Sequence, residues 1–238
     1  MAIEMKTALI TGGSKGIGYG IAEALIKKSV KVMITSRNLK EAENAADQLN
    51  KLGGAEVMGI QADVRSRVSM EGAVSTLLEK WGQLDILIAN AGVGLFGSIE
   101  TLTHEQWNDT IDTNLTGVFN SVKASLDSLI KSKGYIITIS SLAGTNFFAG
   151  GSAYNASKFG LTGFTQSIML DLRKQGVKVS TIMPGSVATY FNNHTPSEAD
   201  SWKIQIEDIG QLVVDLLEMN PRALPSKVEI RPSMPPGT

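Results

Sequence analysis

Apolar residues along this chain fall into short continuous runs, separated by longer stretches in which they recur every three or four positions. Seven runs read as strands: residues 6–11 (KTALIT), 31–35 (KVMIT), 56–61, 85–89 (DILIA), 135–139 (YIITI), 177–183 and 227–230. Helical spacing marks residues 16–28, where Ile17, Ile21, Ala24 and Leu25 share a face, and then 38–52, 66–81, 103–132 with a break near its start, 152–175 and 208–218. Strands alternating with helices imply βαβ units and a parallel sheet. The strands are apolar almost throughout, as needed when helices cover both faces. Right-handed crossovers then favour a doubly wound α/β fold. No repeat, linker or low-complexity tract interrupts the pattern, so residues 1–238 read as a single domain.

Composition narrows the possibilities. The 238 residues are 42% hydrophobic, enough for a large core. With 22 basic and 23 acidic residues the formal net charge is −1, so neither a nucleic-acid surface nor a polybasic membrane anchor is expected. There is no cysteine, which excludes disulfides, thiolate zinc sites and cysteine nucleophiles. No apolar run approaches the length of a membrane span. The opening MAIEMKTALITGG enters a strand directly rather than forming a signal peptide, and a cytoplasmic location is expected. His104 and His194 lack metal-ligand spacing and read as surface residues; no metal is expected. Asp85 reads as a turn cap rather than a catalytic carboxylate. Gly-x-Ser-x-Gly, the mark of one hydrolase class, is missing.

The first chemistry lies in TGGSKGIG, residues 11–18, between the first strand and first helix. Gly12, Gly13, Gly16 and Gly18 allow backbone geometry that a Cβ forbids, and let a pyrophosphate reach the helix N-terminus. No Gly-Lys-Ser/Thr follows, so this is not a P-loop, and the spacing TGxxxGxG also differs from GxGxxG. The second strand ends in Thr35-Ser36-Arg37-Asn38, without the acid that would bind the ribose 2′-hydroxyl of NAD. Arg37 suits a 2′-phosphate, and Lys15 adds a second cation. NADP(H) is therefore expected over NAD(H), with Gly12, Ser14, Lys15, Gly16, Ile17, Gly18, Ser36, Arg37 and Asn38 as contacts.

A second motif lies in SAYNASKFG, residues 152–160, where Tyr154 and Lys158 are four apart and share a helix face. TGGSKGIG, Asn90-Ala91-Gly92, Ser141, Tyr154-x-x-x-Lys158 and Pro184-Gly185 stand in order along the chain. This set resembles the classical short-chain dehydrogenase/reductase family. The resemblance implies a Rossmann-type sheet of about seven parallel strands with a nicotinamide cofactor across the strand ends. Matched position by position, it implies a catalytic tetrad of Asn114, Ser141, Tyr154 and Lys158; Ser140 competes for the serine role, but the family serine lies thirteen positions before the tyrosine. Asp63 and Val64 match adenine contacts, Asn90, Ala91 and Gly92 the turn lining the cofactor, and Pro184, Gly185, Val187 and Thr189 the nicotinamide segment. Tyr154 and Lys158 would also touch the cofactor, with Lys158 holding its ribose. A free tyrosine has a pKa of about 10. The neighbouring ammonium is expected to lower it, so that Tyr154 serves as general acid in reduction and general base in oxidation. Ser141 would bond the substrate oxygen. Asn114, by resemblance, would hold a relay water.

The implied substrate is a small carbonyl or alcohol, bound near Phe96, Leu142, Phe148 and Tyr190, with Phe147, Phe191 and Trp202 close in sequence. Residues 188–206 form a short lid, made polar by Ser197, Glu198, Asp200 and Ser201; an open pocket and a lid mobile without ligand are expected. The ending EIRPSMPPGT lacks the Val-Asp-Gly-Gly common in relatives, which weakens the reading as a fatty-acid-synthesis ketoacyl reductase and leaves tail-mediated tetramer contacts open. Family likeness implies a homodimer or homotetramer built on residues 103–132 and 152–175. Two other readings remain: an idle NADP-binding sensor or scaffold, and an epimerase or dehydratase without net NADPH consumption.

Overall fold

The computed structural model describes residue 3 and residues 5–235; Pro236, Gly237 and Thr238 of the unusual ending lie outside them. The strands are β1 Thr7–Ile10, β2 Lys31–Ser36, β3 Val57–Gln61, β4 Ile86–Ala89, β5 Tyr135–Ile139, β6 Lys178–Pro184 and β7 Lys227–Ile230. They form one sheet, all pairings parallel, in the order β3-β2-β1-β4-β5-β6-β7. β1, β4 and β5 are buried along their whole length, which is why their sequences are apolar without alternation.

The helices are α1 Gly16–Ile26, α2 Leu39–Lys51, α3 Arg67–Trp81, α4 His104–Ile111, α5 Gly117–Ser132, α6 Ser152–Leu172 and α7 Ile206–Glu218. Ile21, Leu25, Leu49, Val213 and Leu217 of α1, α2 and α7 cover one face of the sheet. Met70, Leu77, Val118, Leu129 and Leu161 of α3, α5 and α6 cover the other. α1 and α7 cross at two glycines: a Cβ on Gly20 would lie 2.6 Å from Ile206 O, and one on Gly210 2.6 Å from Gly20 O.

The break expected early in 103–132 is a π-helical turn, Asp112–Thr116, joining α4 to α5 without interrupting the helical path. Such widened turns often mark functional positions, and this one carries Asn114. The 152–175 stretch is α6 followed by a tight turn, Arg173–Gln175, ended by Gly176 at φ +81°. α7 begins two residues before its expected start, because Gln205 and Asp208 form a reciprocal capping box.

β1 lies between β2 and β4, so the chain leaves it in opposite directions on its two sides. The C-terminal ends of β1 and β4 diverge there and open a crevice, the usual ligand position of such sheets.

Candidate active site

A cavity of about 1070 Å³ occupies that crevice. Every cofactor and pocket residue expected from the sequence borders it except Gly18, together with Ser141, Tyr154 and Lys158. Gly18 instead packs behind the turn: a Cβ there would lie 2.6 Å from both Gly12 O and Asn90 Nδ2. It is a packing residue rather than a cofactor contact.

The glycine turn and the 90–92 turn are built as one unit. Asn90 Nδ2 donates to Thr11 O and Gly12 O, both at 2.9 Å, while Thr11 Oγ1 accepts from the Asn90 and Ala91 N–H groups at 3.0 and 3.1 Å. Gly12 has φ +64°, and a Cβ there would lie 2.9 Å from Ala91 Cα, so only glycine fits. Lys15 precedes α1 in extended conformation with no side-chain cap, leaving the first N–H groups of the helix to an anion. Arg37 makes no salt bridge among the described residues, and with Lys15 it borders the cavity. This cradle and these cations fit a phosphorylated dinucleotide. Asp63 is bound by Arg65, which holds its carboxyl below the usual range. Asn120 Nδ2 fixes Val64 O at 2.9 Å.

At the other end, Ser141 caps a short turn, Leu142–Gly144, accepting the Ala143 N–H at 3.1 Å, and it borders the same cavity as Tyr154, whose phenol its hydroxyl influences. Ser140 has other partners, Lys158 O and Thr162 Oγ1, at 3.3 and 3.2 Å, so Ser141 is the serine turned toward the tyrosine. Lys158 Nζ donates to Ile139 O at 3.0 Å and lies 5.6 Å from the centre of the Tyr154 ring.

Tyr154 is 9% exposed and Lys158 5%. Burial penalises both charged forms. It pushes the Tyr154 phenol up, against the opposing hydrogen bond from Ser141, and brings the Lys158 ammonium down to about 8. The net shift of Tyr154 is thus upward, not downward as expected, because desolvation dominates.

Asn114 is fully buried and does not border the cavity. Its Oδ1 accepts the Val93 N–H at 2.8 Å, and its Nδ2 donates to Val93 O at 2.9 Å and Ser157 Oγ at 3.1 Å. The side chain clamps the loop after β4 to α6. Asn155, missed in the sequence, does the same for the loop after Ser141, donating to Ala143 O and Asn146 O at 2.8 and 2.7 Å. An Asn one residue after the motif tyrosine was its sole signal.

Aromatic rings line the mouth. Phe96 and Phe191 pack on Tyr154 with centroids 5.3 and 5.8 Å away, and Phe148 lies 5.7 Å from Phe96. Phe147 borders the cavity but is 85% exposed; Trp202 does not border it. The short lid therefore reaches Tyr154 through Phe191, while the rings around the mouth stay partly exposed. Its base is a parallel bridge, with Ala188 N–H to Ile204 O at 2.9 Å and Ile204 N–H to Ser186 O at 3.1 Å. Buried Asp200 holds its interior: Lys203 Nζ and His194 Nε2 both lie 2.6 Å from the carboxylate, and the Ser197 N–H at 3.0 Å. His194 lies at the surface, as expected, and also ties the lid at the cavity edge. The capping-box pattern Ser197-x-x-Asp200 was the available signal. Asp85 accepts the Thr7 N–H at 2.9 Å and pairs with Lys6 at the N-terminal end of the sheet, a structural tie away from the cavity.

A parallel, doubly wound sheet with a glycine-lined cradle and a buried Tyr-Lys pair beside Ser141 at one crevice fits a dinucleotide-dependent oxidoreductase. The short chain dehydrogenase family model matches residues 6–200, and the chain belongs to that family. Among curated relatives, the 3-oxoacyl-acyl-carrier-protein reductase FabG of Salmonella typhimurium is 37% identical over 190 residues, covering 79% of this chain and 76% of that protein. A putative ketoacyl reductase of Streptomyces coelicolor is 31% identical over 229 residues, covering 94% and 87%. Among solved structures, an alcohol dehydrogenase from Thermococcus sibiricus complexed with 5-hydroxy-NADP superposes with a TM-score of 0.91 at 28% identity, covering 98% of this chain and 99% of that one. A metagenomic short-chain oxidoreductase in complex with NADP gives 0.86 at 31% identity, covering 99% and 100%. Among the described residues, no helix is long and apolar enough to cross a membrane.

Proposed function

We propose that this chain is an NADPH-dependent carbonyl reductase, reversible as an alcohol dehydrogenase, acting on ketones or aldehydes with Tyr154 as general acid. The observation carrying this reading is that Ser141, Tyr154 and the buried Lys158 border one cavity, with Lys158 Nζ 5.6 Å from the centre of the Tyr154 ring. The NADP-bound structural neighbours and the cations Arg37 and Lys15 at the cavity, in no salt bridge among the described residues, support the cofactor choice.

NADPH, when bound, supplies the hydride for the carbonyl carbon. Ser141 Oγ and Tyr154 Oη orient the carbonyl oxygen, and the Tyr154 proton passes to it as charge develops there. A phenol kept protonated by burial is in the right state to donate near neutral pH. Lys158, with a lowered pKa, takes up or gives a proton near pH 8 and stabilises the phenolate left behind. The aromatic mouth excludes water from this step.

The two ketoacyl reductase relatives favour a second substrate class, β-ketoacyl thioesters. Both classes are tested by following NADPH oxidation over aryl ketones, diketones, aldehydes and a β-ketoacyl thioester, with NADH in parallel. Net oxidation with one class identifies it; tight NADPH binding without turnover on any carbonyl would turn the reading to a sensor or epimerase. We place the protein in the cytoplasm as a homodimer or homotetramer. Exposed Trp107, Phe119, Phe159 and Leu170 on α4, α5 and α6 give these helices an apolar face for a second copy.

A further inference from the structure

Phe191 enters the active site from the lid, and its ring takes a seat that another residue leaves empty. A Cβ built on Gly94 would lie 2.3 Å from Phe191 Cε1 and 2.4 Å from Cζ, far inside any side-chain contact. Gly94 is not among the glycines of positive φ, so its backbone does not demand glycine. The requirement comes from the ring of Phe191. On its other sides that ring faces Tyr154 at 5.8 Å and Phe96 at 6.5 Å between centroids. The Phe191 N–H donates to Thr189 Oγ1 at 3.3 Å, and the Asp200 tie holds the segment that follows. Phe191 thus borders the cavity beside Tyr154, where a substituent of a bound carbonyl would meet it.

We propose that Phe191, seated in the notch left by Gly94, is a specificity-determining residue that limits the size of one carbonyl substituent beside Tyr154. The inference rests on the carbonyl-reductase reading. It makes ketones with one small substituent the preferred class and ketones bulky on both sides poor substrates. Gly94 acts through Phe191: filling the notch expels the ring toward the mouth, since Tyr154 and Phe96 block the inward path.

The test is kcat and KM with NADPH for an aryl methyl ketone and its diaryl counterpart. The proteins are the unaltered chain, Phe191→Ala, Phe191→Leu, Gly94→Ala and the double variant Gly94→Ala/Phe191→Ala. Phe191→Ala is expected to raise the ratio of diaryl to methyl kcat/KM by roughly 10-fold or more, the scale on which pocket size discriminates. Phe191→Leu should give a smaller rise, and the KM for NADPH should stay near that of the unaltered chain. Gly94→Ala should shift the ratio the same way and add nothing once Phe191 is alanine. Retained turnover with an unchanged ratio in Phe191→Ala overturns the inference while leaving the reductase reading intact. A Gly94→Ala effect that persists in the Phe191→Ala background overturns the role of the notch. Absence of turnover by the unaltered chain on any carbonyl overturns the reductase reading and this inference with it.

Discussion

Tyr154 and Lys158 stand one helical turn apart, and burial acts on them in opposite directions, raising the phenol and lowering the ammonium to about 8. The lysine shift has a consequence for stability. Between about pH 8 and the ordinary lysine value of 10.5 the folded chain binds fewer protons than the unfolded one, so stability rises with pH across that window. The melting temperature of the unaltered protein, measured against Lys158→Met, should therefore gain ground from pH 8 to pH 10; a difference that shrinks with pH would contradict the burial account. At the adenosine end, Arg37 lacks a salt bridge among the described residues and borders the cavity. Arg37→Glu should reverse the preference from NADPH to NADH in the KM ratio, since a carboxylate repels a 2′-phosphate and accepts from a 2′-hydroxyl. Equal affinity of the unaltered protein for both cofactors would refute that role.

The strands and most helices were legible in the sequence because their signals are local. Continuous apolar runs gave all seven strands, and β7 matches its expected limits at both ends. The π-turn at 112–116 was readable merely as a break, since its widening depends on packing against α6 and the Val93 loop. That the glycine turn, Ser141, Tyr154 and Lys158 share one cavity was legible through their order along the chain; that Asn114 lies off it was not. The Phe191–Gly94 contact and the Asp200 ties were not, because they join residues whose proximity is a product of the fold. These elements carry their own tests. Gly20 and Gly210 let α1 and α7 touch, so Gly20→Ala should destabilise the protein by about 1–3 kcal/mol in urea unfolding, the range for overpacking. In the lid, Lys203, His194 and the Ser197 N–H hold the Asp200 carboxyl well below the usual range. A depressed folded pKa contributes stability above the unfolded value near 4 and loses it as pH falls. Asp200→Asn should loosen the lid, seen as a higher KM for the carbonyl with NADPH affinity retained; an unchanged KM would show that the lid does not depend on this tie.

At the scale of the molecule, the topology explains why one crevice collects so many functional groups. The reversal of chain direction around β1 opens the sheet there, and the loops leaving the C-terminal ends of β1, β2, β4, β5 and β6 all converge on it. The glycine turn, Arg37, the 90–92 turn, Ser141 and the 184–189 segment are those loops. α6 carries Tyr154 and Lys158, the proposed acid and its lysine, and is braced by Asn114 and Asn155. The exposed aromatic and aliphatic residues of α4, α5 and α6 predict a homo-oligomer, which light scattering after size-exclusion chromatography would show as a mass above the 25.4 kDa chain; a 25.4 kDa species at micromolar concentration would contradict it. The central claim is that Tyr154 delivers the proton in carbonyl reduction. The direct measurement is NADPH oxidation by Tyr154→Phe beside the unaltered protein, on the best carbonyl of the panel, with NADPH binding titrated in both. The account predicts loss of turnover by a factor of roughly 10² or more with NADPH binding preserved; turnover equal to that of the unaltered protein would contradict it.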